Sequence, residues 1–339
     1  MKKTIYDIAK DLDVAPSTVS KALNNRSGIS EKLKTKIQNY ANEVRYYANA
    51  SASKLKMKKS FSIGIIYSED LNIGLEHNFF SSILQSFKTY VEAHGYEITF
   101  VINNLANRKI SYLDFCMQKN IDGVFIVTST AHDPLLKELV ESDIACVSTD
   151  VYYDNLFTVI SDNIDGAKQA VDYFYQMGHE KIGIITEAYD TVASQERLRG
   201  FKEKMQALHL EVIDDYIIPA RKYAYEDGYD AGQKFLKLNT KPTAVFVVSD
   251  VIAMGFIKAL KDGGLKVPDD ISVIGFDDIP FAKHYEPRLT TINQNTKTIG
   301  ERAAIKLLHL MECNQEKTTG IEKVPVTLVK RDSVKNLKQ

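Results

Sequence analysis

The chain is 339 residues long, 44% hydrophobic and 26% charged, with a formal net charge of −1. That length supports two or three domains with a sizeable core, and the balance is that of a soluble globular protein. No apolar run approaches the ~20 residues of a membrane span. No apolar leader stretch follows the two N-terminal lysines, so the cytoplasm is the expected location. The charge is uneven. Through Lys59, thirteen Lys and Arg stand against five Asp and Glu, +8, which leaves −9 for the remainder. A basic head on an acidic body predicts a polyanionic partner for the head alone.

Residues 4–24, TIYDIAKDLDVAPSTVSKALN, hold two short helical patterns around a tight turn. Ile5, Ile8, Ala9 and Leu12 share one helical face, and Val19, Ala22 and Leu23 repeat the spacing. Thr4 stands at an N-cap position, with Asp7 three residues on. Asp13 can take the left-handed turn conformation, and Pro16 opens the second helix with a pre-set φ. Two helices this short bury their apolar faces only by leaning on a third. Ser30 caps the candidate, with Leu33, Ile37, Tyr40, Ala41 and Val44 on one face. The second helix turns Ser17, Thr18, Ser20 and Lys21 outward, short donors and a cation fitted to phosphates and base edges in a DNA major groove. An ordinary helical hairpin with a solvated polar face remains the alternative at this point.

Residues 46–59, YYANASASKLKMKK, change to an Ala/Ser/Lys-rich composition, that of a linker. From 61 onward strands and helices alternate. FSIGIIY (61–67), YEITFVI (96–102), DGVFIVTS (122–129), IACVSTD (144–150), KIGIIT (181–186), AVFVVSD (244–250), ISVIGFD (271–277), TTINQ (290–294) and a terminal KVPVTLV (323–329) read as strands. Helices are expected from about Phe80 to Gly95, near 109–120, 134–142, 165–178, 194–208, 225–238, 251–263 and 296–312. The expected fold class is α/β: a helix-turn-helix head followed by two doubly wound halves. Cys116, Cys146 and Cys313 match no metal or redox spacing and are expected as small buried residues. There is no GxGxxG, P-loop, GxSxG or HExxH motif, so no enzyme chemistry, metal or cofactor is called for.

The run DIAKDLDVAPSTVSKALNN resembles the N-terminal signature of the lactose-repressor/galactose-repressor (LacI/GalR) family. MGHEKIGII (177–185), SDVIAMGFIKAL (249–260), VPDDISVIGFDD (267–278) and PRLTTI (287–292) extend the likeness along nearly the whole chain. Asp13 stands where the family mostly has Gly, and Ala15 where a capping Ser is usual. The resemblance implies three segments: a DNA-binding head at 1–47, a hinge helix and linker at 48–60, and a two-lobed, periplasmic-binding-protein-like core at 61–339. It implies that the chain crosses between lobes more than once, near 157–165 and 290. It makes Thr4, Pro16, Ser17, Thr18, Ser20, Lys21 and Asn24 candidate DNA contacts. Asn49 and Leu55 match the hinge motif, Leu55 as a wedge into the minor groove. Ala48 and Ser53 depart from that motif, replacing its Pro and Arg.

Strands ending in Asp150, Asp250 and Asp277, with Arg197 near a helix start, could converge on a cleft and hold a polyol. Each such Asp taken alone is more often a helix N-cap. The resemblance implies that Asp150, Arg197, Asp250 and Asp277 contact an effector and that Phe79, Phe80 and Tyr223 stack on it, with core packing the alternative for the aromatics. His179, within one of the shared phrases, is expected to be structural. The implied function is a homodimeric repressor on a pseudo-palindromic operator, controlled by a sugar or sugar derivative. The alternatives are a catabolite-control regulator answering to a co-repressor or protein partner, and a cytoplasmic sugar-binding protein.

Overall fold

The computed structural model describes residues 3–23, 25–46, 59–67, 75, 77–106, 108–129, 133–149, 151–187, 191–221, 224–312 and 319–338. The chain divides into two compact units, Met1–Phe61 and Ser62–Gln339. The expected hinge helix lies outside the described residues.

The first unit contains α1 (Ile5–Asp11), α2 (Pro16–Leu23) and α3 (Glu31–Glu43). Its core is Ile8, Ala9, Val19, Ala22, Ile37 and Ala41, with Leu12, Leu33, Tyr40 and Val44 packed around them. Thr4 and Asp7 form a reciprocal capping box: the Asp7 N–H donates to Thr4 Oγ1 at 3.3 Å, and the Thr4 N–H to Asp7 Oδ2 at 2.7 Å. Asp13 adopts φ 51°, the left-handed turn that its short polar side chain tolerates. Ser30 caps α3 by accepting from the Leu33 N–H at 3.3 Å.

The second unit contains two six-stranded sheets. In the first lobe, β1 (Ser62–Tyr67), β2 (Glu97–Phe100), β5 (Gly123–Thr128), β6 (Ala145–Ser148), β7 (Phe157–Ser161) and β13 (Gly320–Val324) lie in the order β13-β7-β6-β5-β1-β2, all parallel. A two-stranded hairpin, β3 (Asn104–Leu105) with β4 (Arg108–Lys109), stands outside that sheet. In the second lobe, β8 (Ile182–Glu187), β9 (Ile217–Ala220), β10 (Ala244–Val247), β11 (Ser272–Asp277), β12 (Thr290–Asn293) and β14 (Thr327–Val329) are ordered β14-β12-β11-β10-β8-β9, with only β14 antiparallel. Strands β5, β8, β10 and β11 are buried at every residue, as sheets covered by helices on both faces require.

The covering helices are α4 (Asn78–Ala93), α5 (Tyr112–Lys119), α6 (Pro134–Glu141) and α11 (Thr296–Glu312) on the first lobe, and α7 (Asn163–Gln176), α8 (Val192–Ala207), α9 (Tyr225–Leu236) and α10 (Asp250–Asp262) on the second. Stacked Phe87 and Phe125 rings, 4.1 Å apart, anchor the first core, and Phe174, Phe201, Phe246 and Phe276 fill the second. Helices α9 and α10 approach very closely. A Cβ on Gly255 would lie 1.9 Å from the Tyr225 carbonyl oxygen, and one on Gly228 2.1 Å from that of Ile252.

Sequence and structure differ at several strands, the unexpected β3–β4 hairpin among them. Residues 157–161 and 217–220 form β7 and β9, where no strand was expected. The expected terminal strand is two, one in each lobe, because Pro325 has no N–H to continue a ladder. Among the described residues the chain therefore passes between lobes three times, after Ser161, Asn293 and Val324, each time from the carboxyl end of a strand. His179 is structural as expected. Nδ1 lies 2.9 Å from Thr243 Oγ1 and Nε2 3.0 Å from the Lys335 carbonyl, tying the C-terminal segment to the second lobe.

Candidate nucleic-acid interface and ligand cleft

In the head, Pro16, Ser17 and Lys21 are exposed on α2, and Thr18 and Ser20 are half-buried. Positions 17, 20 and 21 share the face opposite Val19, Ala22 and Leu23. The amide of Gln38, on α3, donates to the Ala22 carbonyl at 3.1 Å and to Asn25 Oδ1 at 3.0 Å. It thereby satisfies the end of α2 and fixes how that helix presents its polar face. Thr4 is exposed, but its hydroxyl is engaged in the capping box. Asn24, Asn49 and Leu55 lie outside the described residues.

In the body, the three crossings lie side by side. The Ser161 hydroxyl donates to the Gln294 carbonyl at 3.4 Å, and the Asp162 N–H to the Val324 carbonyl at 2.9 Å. The carboxyl ends of both sheets therefore open toward the same seam. Arg197 is buried there, 4% exposed. Its Nε donates to Asn163 Oδ1 at 2.9 Å, Nη1 to the Val248 carbonyl at 2.6 Å, and Nη2 to Gln294 Oε1 at 3.5 Å. Its guanidinium carbon lies 3.8 Å from the centre of the Phe276 ring. An arginine carries five N–H donors, so three protein bonds leave donors for a ligand.

Gln294 continues the network by donating to Asp277 Oδ1 at 2.5 Å, and Ser249 donates to Asp277 Oδ2 at 3.0 Å. Burial pushes the Asp277 carboxyl above its ordinary value. The Arg197 charge, the neighbouring His77 and the two hydrogen bonds pull it back. Asp277 has φ 122° and Asp278 φ 55°, consecutive left-handed residues of the kind that cluster at binding sites. Asp278 is pinned by Arg331 at 2.6 Å and Asn293 at 2.9 Å.

The profile of the bacterial regulatory proteins, lacI family, matches residues 4–49, and that of the periplasmic binding protein-like domain matches 171–334. The chain is 33% identical to the probable HTH-type transcriptional repressor ExuR of Bacillus subtilis (strain 168), covering 98% of this chain and 99% of that one. This chain belongs to the LacI family. It is a transcriptional regulator and not an enzyme. The repressor PurR of Salmonella arizonae is 32% identical over 98% of this chain and 96% of its own. A lac repressor dimer solved with operator and the anti-inducer ONPF matches at TM-score 0.82 and 25% identity, over 99% of this chain and 100% of that one. A CelR–cellobiose complex, 23% identical at TM-score 0.72 over 98% and 99%, shares the fold.

Of the effector residues expected in this LacI-family chain, the structure joins Arg197 to Asp277 through Gln294. Phe79 and Phe80 stand together at the start of α4 in the first lobe, rings 5.0 Å apart. Phe80 is core, packed edge-on to Tyr67 at 6.3 Å, and Phe79 is half-buried. Asp150 and Tyr223 lie outside the described residues.

Asp250 requires a correction. Its carboxylate is fully buried, accepting from the Thr291 hydroxyl at 2.5 Å and the Ile279 N–H at 2.9 Å. Burial and the nearby Asp277 charge push it well above its ordinary value. It braces the turn after β11 from inside the lobe. Ser249 caps α10 and stands beside Asp277, in the place expected for Asp250. Ser249, Asn163 and Gln294 had no strong signal beyond their places at strand and helix ends. Cys116 and Cys146 are buried, and burial pushes the Cys116 thiol up to about 12. Among the described residues no helix is long and apolar enough to cross a membrane.

Proposed function

We propose that this regulator is a cytoplasmic homodimeric repressor whose operator affinity is lowered by a sugar or sugar derivative bound between its lobes. The observation that carries the effector reading is the buried Arg197–Gln294–Asp277 chain at the three crossings. It offers unused guanidinium donors and a carboxylate with spare lone pairs to ligand hydroxyls. Because the chain crosses there, a ligand drawing the lobes together would change their relative setting, and through it the distance between two heads. Ligand and operator would then weaken each other by the same factor.

On DNA, Ser17, Thr18, Ser20 and Lys21 would meet base edges and phosphates in the major groove, with Pro16 at its mouth. Thr4, Asn24 and Asn49 would contact the backbone, and Leu55 would wedge into the minor groove. Two such heads would read half-sites about one helical turn apart. The aromatic surface of Phe281, 57% exposed and packed 6.1 Å from the Tyr285 ring, supports a second copy as partner. The lac repressor it resembles was solved as a dimer on operator. The test is operator binding, selected from genomic fragments and titrated against sugars at fixed salt. An affinity that no small molecule moves would sink the effector reading, and no preference over random duplex would sink the repressor reading.

A further inference from the structure

Among the described residues, three buried side-chain polar atoms have no hydrogen-bond partner: His77 Nδ1, His77 Nε2 and Ser129 Oγ. Folded proteins pair nearly all such atoms, so three orphans need a reason. They share one edge of one lobe. Ser129 directly follows β5, and His77 immediately precedes α4, the helix after β1, which is the neighbour of β5 in the sheet. Ser129 is 5% exposed. His77 packs against Phe80, ring centres 5.3 Å apart, and makes no hydrogen bond that would explain an imidazole there.

The seam puts this edge of the first lobe against Asp277 of the second. Asp277 raises the imidazole's basicity while His77 lowers that of Asp277. Burial is the larger influence on His77 and holds its pKa below the ordinary value, which favours the neutral ring. A neutral imidazole offers one donor and one acceptor, and the serine hydroxyl can serve as either. Hydroxyl groups satisfy both kinds of partner. A carboxylate or phosphate only accepts, and would leave the unprotonated ring nitrogen facing an anion.

We infer that His77 and Ser129 form a hydroxyl-reading subsite of the first lobe, facing Arg197 and Asp277, which selects an uncharged polyol over a ligand with an anionic group at that end. The inference rests on the effector reading proposed above and specifies its ligand class. Glucose, galactose, ribose, glucuronate and galacturonate, titrated calorimetrically into the full chain, form the test panel. At least one neutral sugar binds, and binds more tightly than either uronate. His77→Phe weakens that sugar about ten- to hundredfold, and His77→Gln, which keeps a donor and an acceptor, recovers most of the loss. Ser129→Ala weakens it about fivefold or more.

The ligand-free melting temperature separates recognition from architecture. His77→Phe removes no hydrogen bond and leaves it unchanged or raised, whereas loss of a structural imidazole would lower it. Asp277→Asn tests the underlying reading. If that variant binds the sugar like the wild type, the cleft is not the effector site and both readings fall. If it loses the sugar while His77→Phe keeps it, the cleft stands and the subsite falls. A uronate preferred over every sugar, or no panel sugar bound by the wild type, overturns the ligand class.

Discussion

Replacing Arg197 by methionine tests whether this side chain holds the seam together as well as facing a ligand. The substitution leaves Asn163 Oδ1, the Val248 carbonyl and Gln294 Oε1 without their donor, all on residues no more than 3% exposed. Each unpaired buried acceptor costs about 1–3 kcal/mol, with the 3.5 Å contact to Gln294 at the bottom of that range. Loss of the guanidinium over Phe276 adds about 1–2 kcal/mol. Returning no cation to the interior offsets part of this, since burying a guanidinium carries its own desolvation cost. The balance is a destabilisation of about 3–5 kcal/mol, typical of breaking a buried charged contact from one side. The chain has no tryptophan, so urea unfolding is best followed by far-UV circular dichroism, with the midpoint shift multiplied by the common slope. Arg197→Lys, which keeps the charge but not the fork, should fall between wild type and Arg197→Met. A methionine variant within about 1 kcal/mol of wild type would refute the brace and leave Arg197 a ligand contact alone.

Asp250→Asn should stabilise the protein more as pH rises. The buried carboxylate is raised, so its charging penalty is absent below the usual carboxylate range and develops as pH climbs through the raised value. The amide can accept from Ile279 and donate to Thr291, so thermal melts at pH 4 and pH 8 should show the gain only at the higher pH. Gly255→Ala should cost about 1–3 kcal/mol or more, because the new methyl meets backbone and not a side chain that can swing away, 1.9 Å from the Tyr225 carbonyl; an unchanged urea midpoint would contradict the packing of α9 on α10. Lys21→Ala should weaken operator and random duplex alike and reduce the salt slope of log K by about 0.9 if the lysine meets one phosphate; a loss confined to one operator sequence would make it a base reader.

Much of the fold could be read from local pattern. FSIGIIY, AVFVVS and ISVIGF are apolar runs that only covered parallel strands accommodate, and Ile5, Ile8 and Leu12 mark a helix that needs partners. FTVIS (157–161) and IIPA (217–220) escaped because short strands between longer signals look like loops. The division of the last strand depends on which sheet has room at its edge, a property of the whole chain that only Pro325 hints at. The site was legible in part. Arg197 and Asp277 advertise themselves by charge at element ends. Asp250 carries the same advertisement, yet Ser249 takes the helix cap and turns Asp250 inward. One residue of helical phase separates a ligand-facing side chain from an interior one, and strand-end chemistry does not encode that phase. His77 carries no signal in the sequence, because an orphaned nitrogen exists only once its surroundings are known.

The three crossings also bear on how the protein is made. The first lobe takes α11 and β13 from beyond residue 296, and the second takes β14 and the segment that grips His179. Neither half is complete until β13 and β14 have left the ribosome, whereas α1, α2 and α3 of the head end at Glu43. A nascent chain thus exposes a finished reading head on an unfinished receptor, and a premature stop ahead of β13 would spoil both halves of that receptor at once while sparing the head.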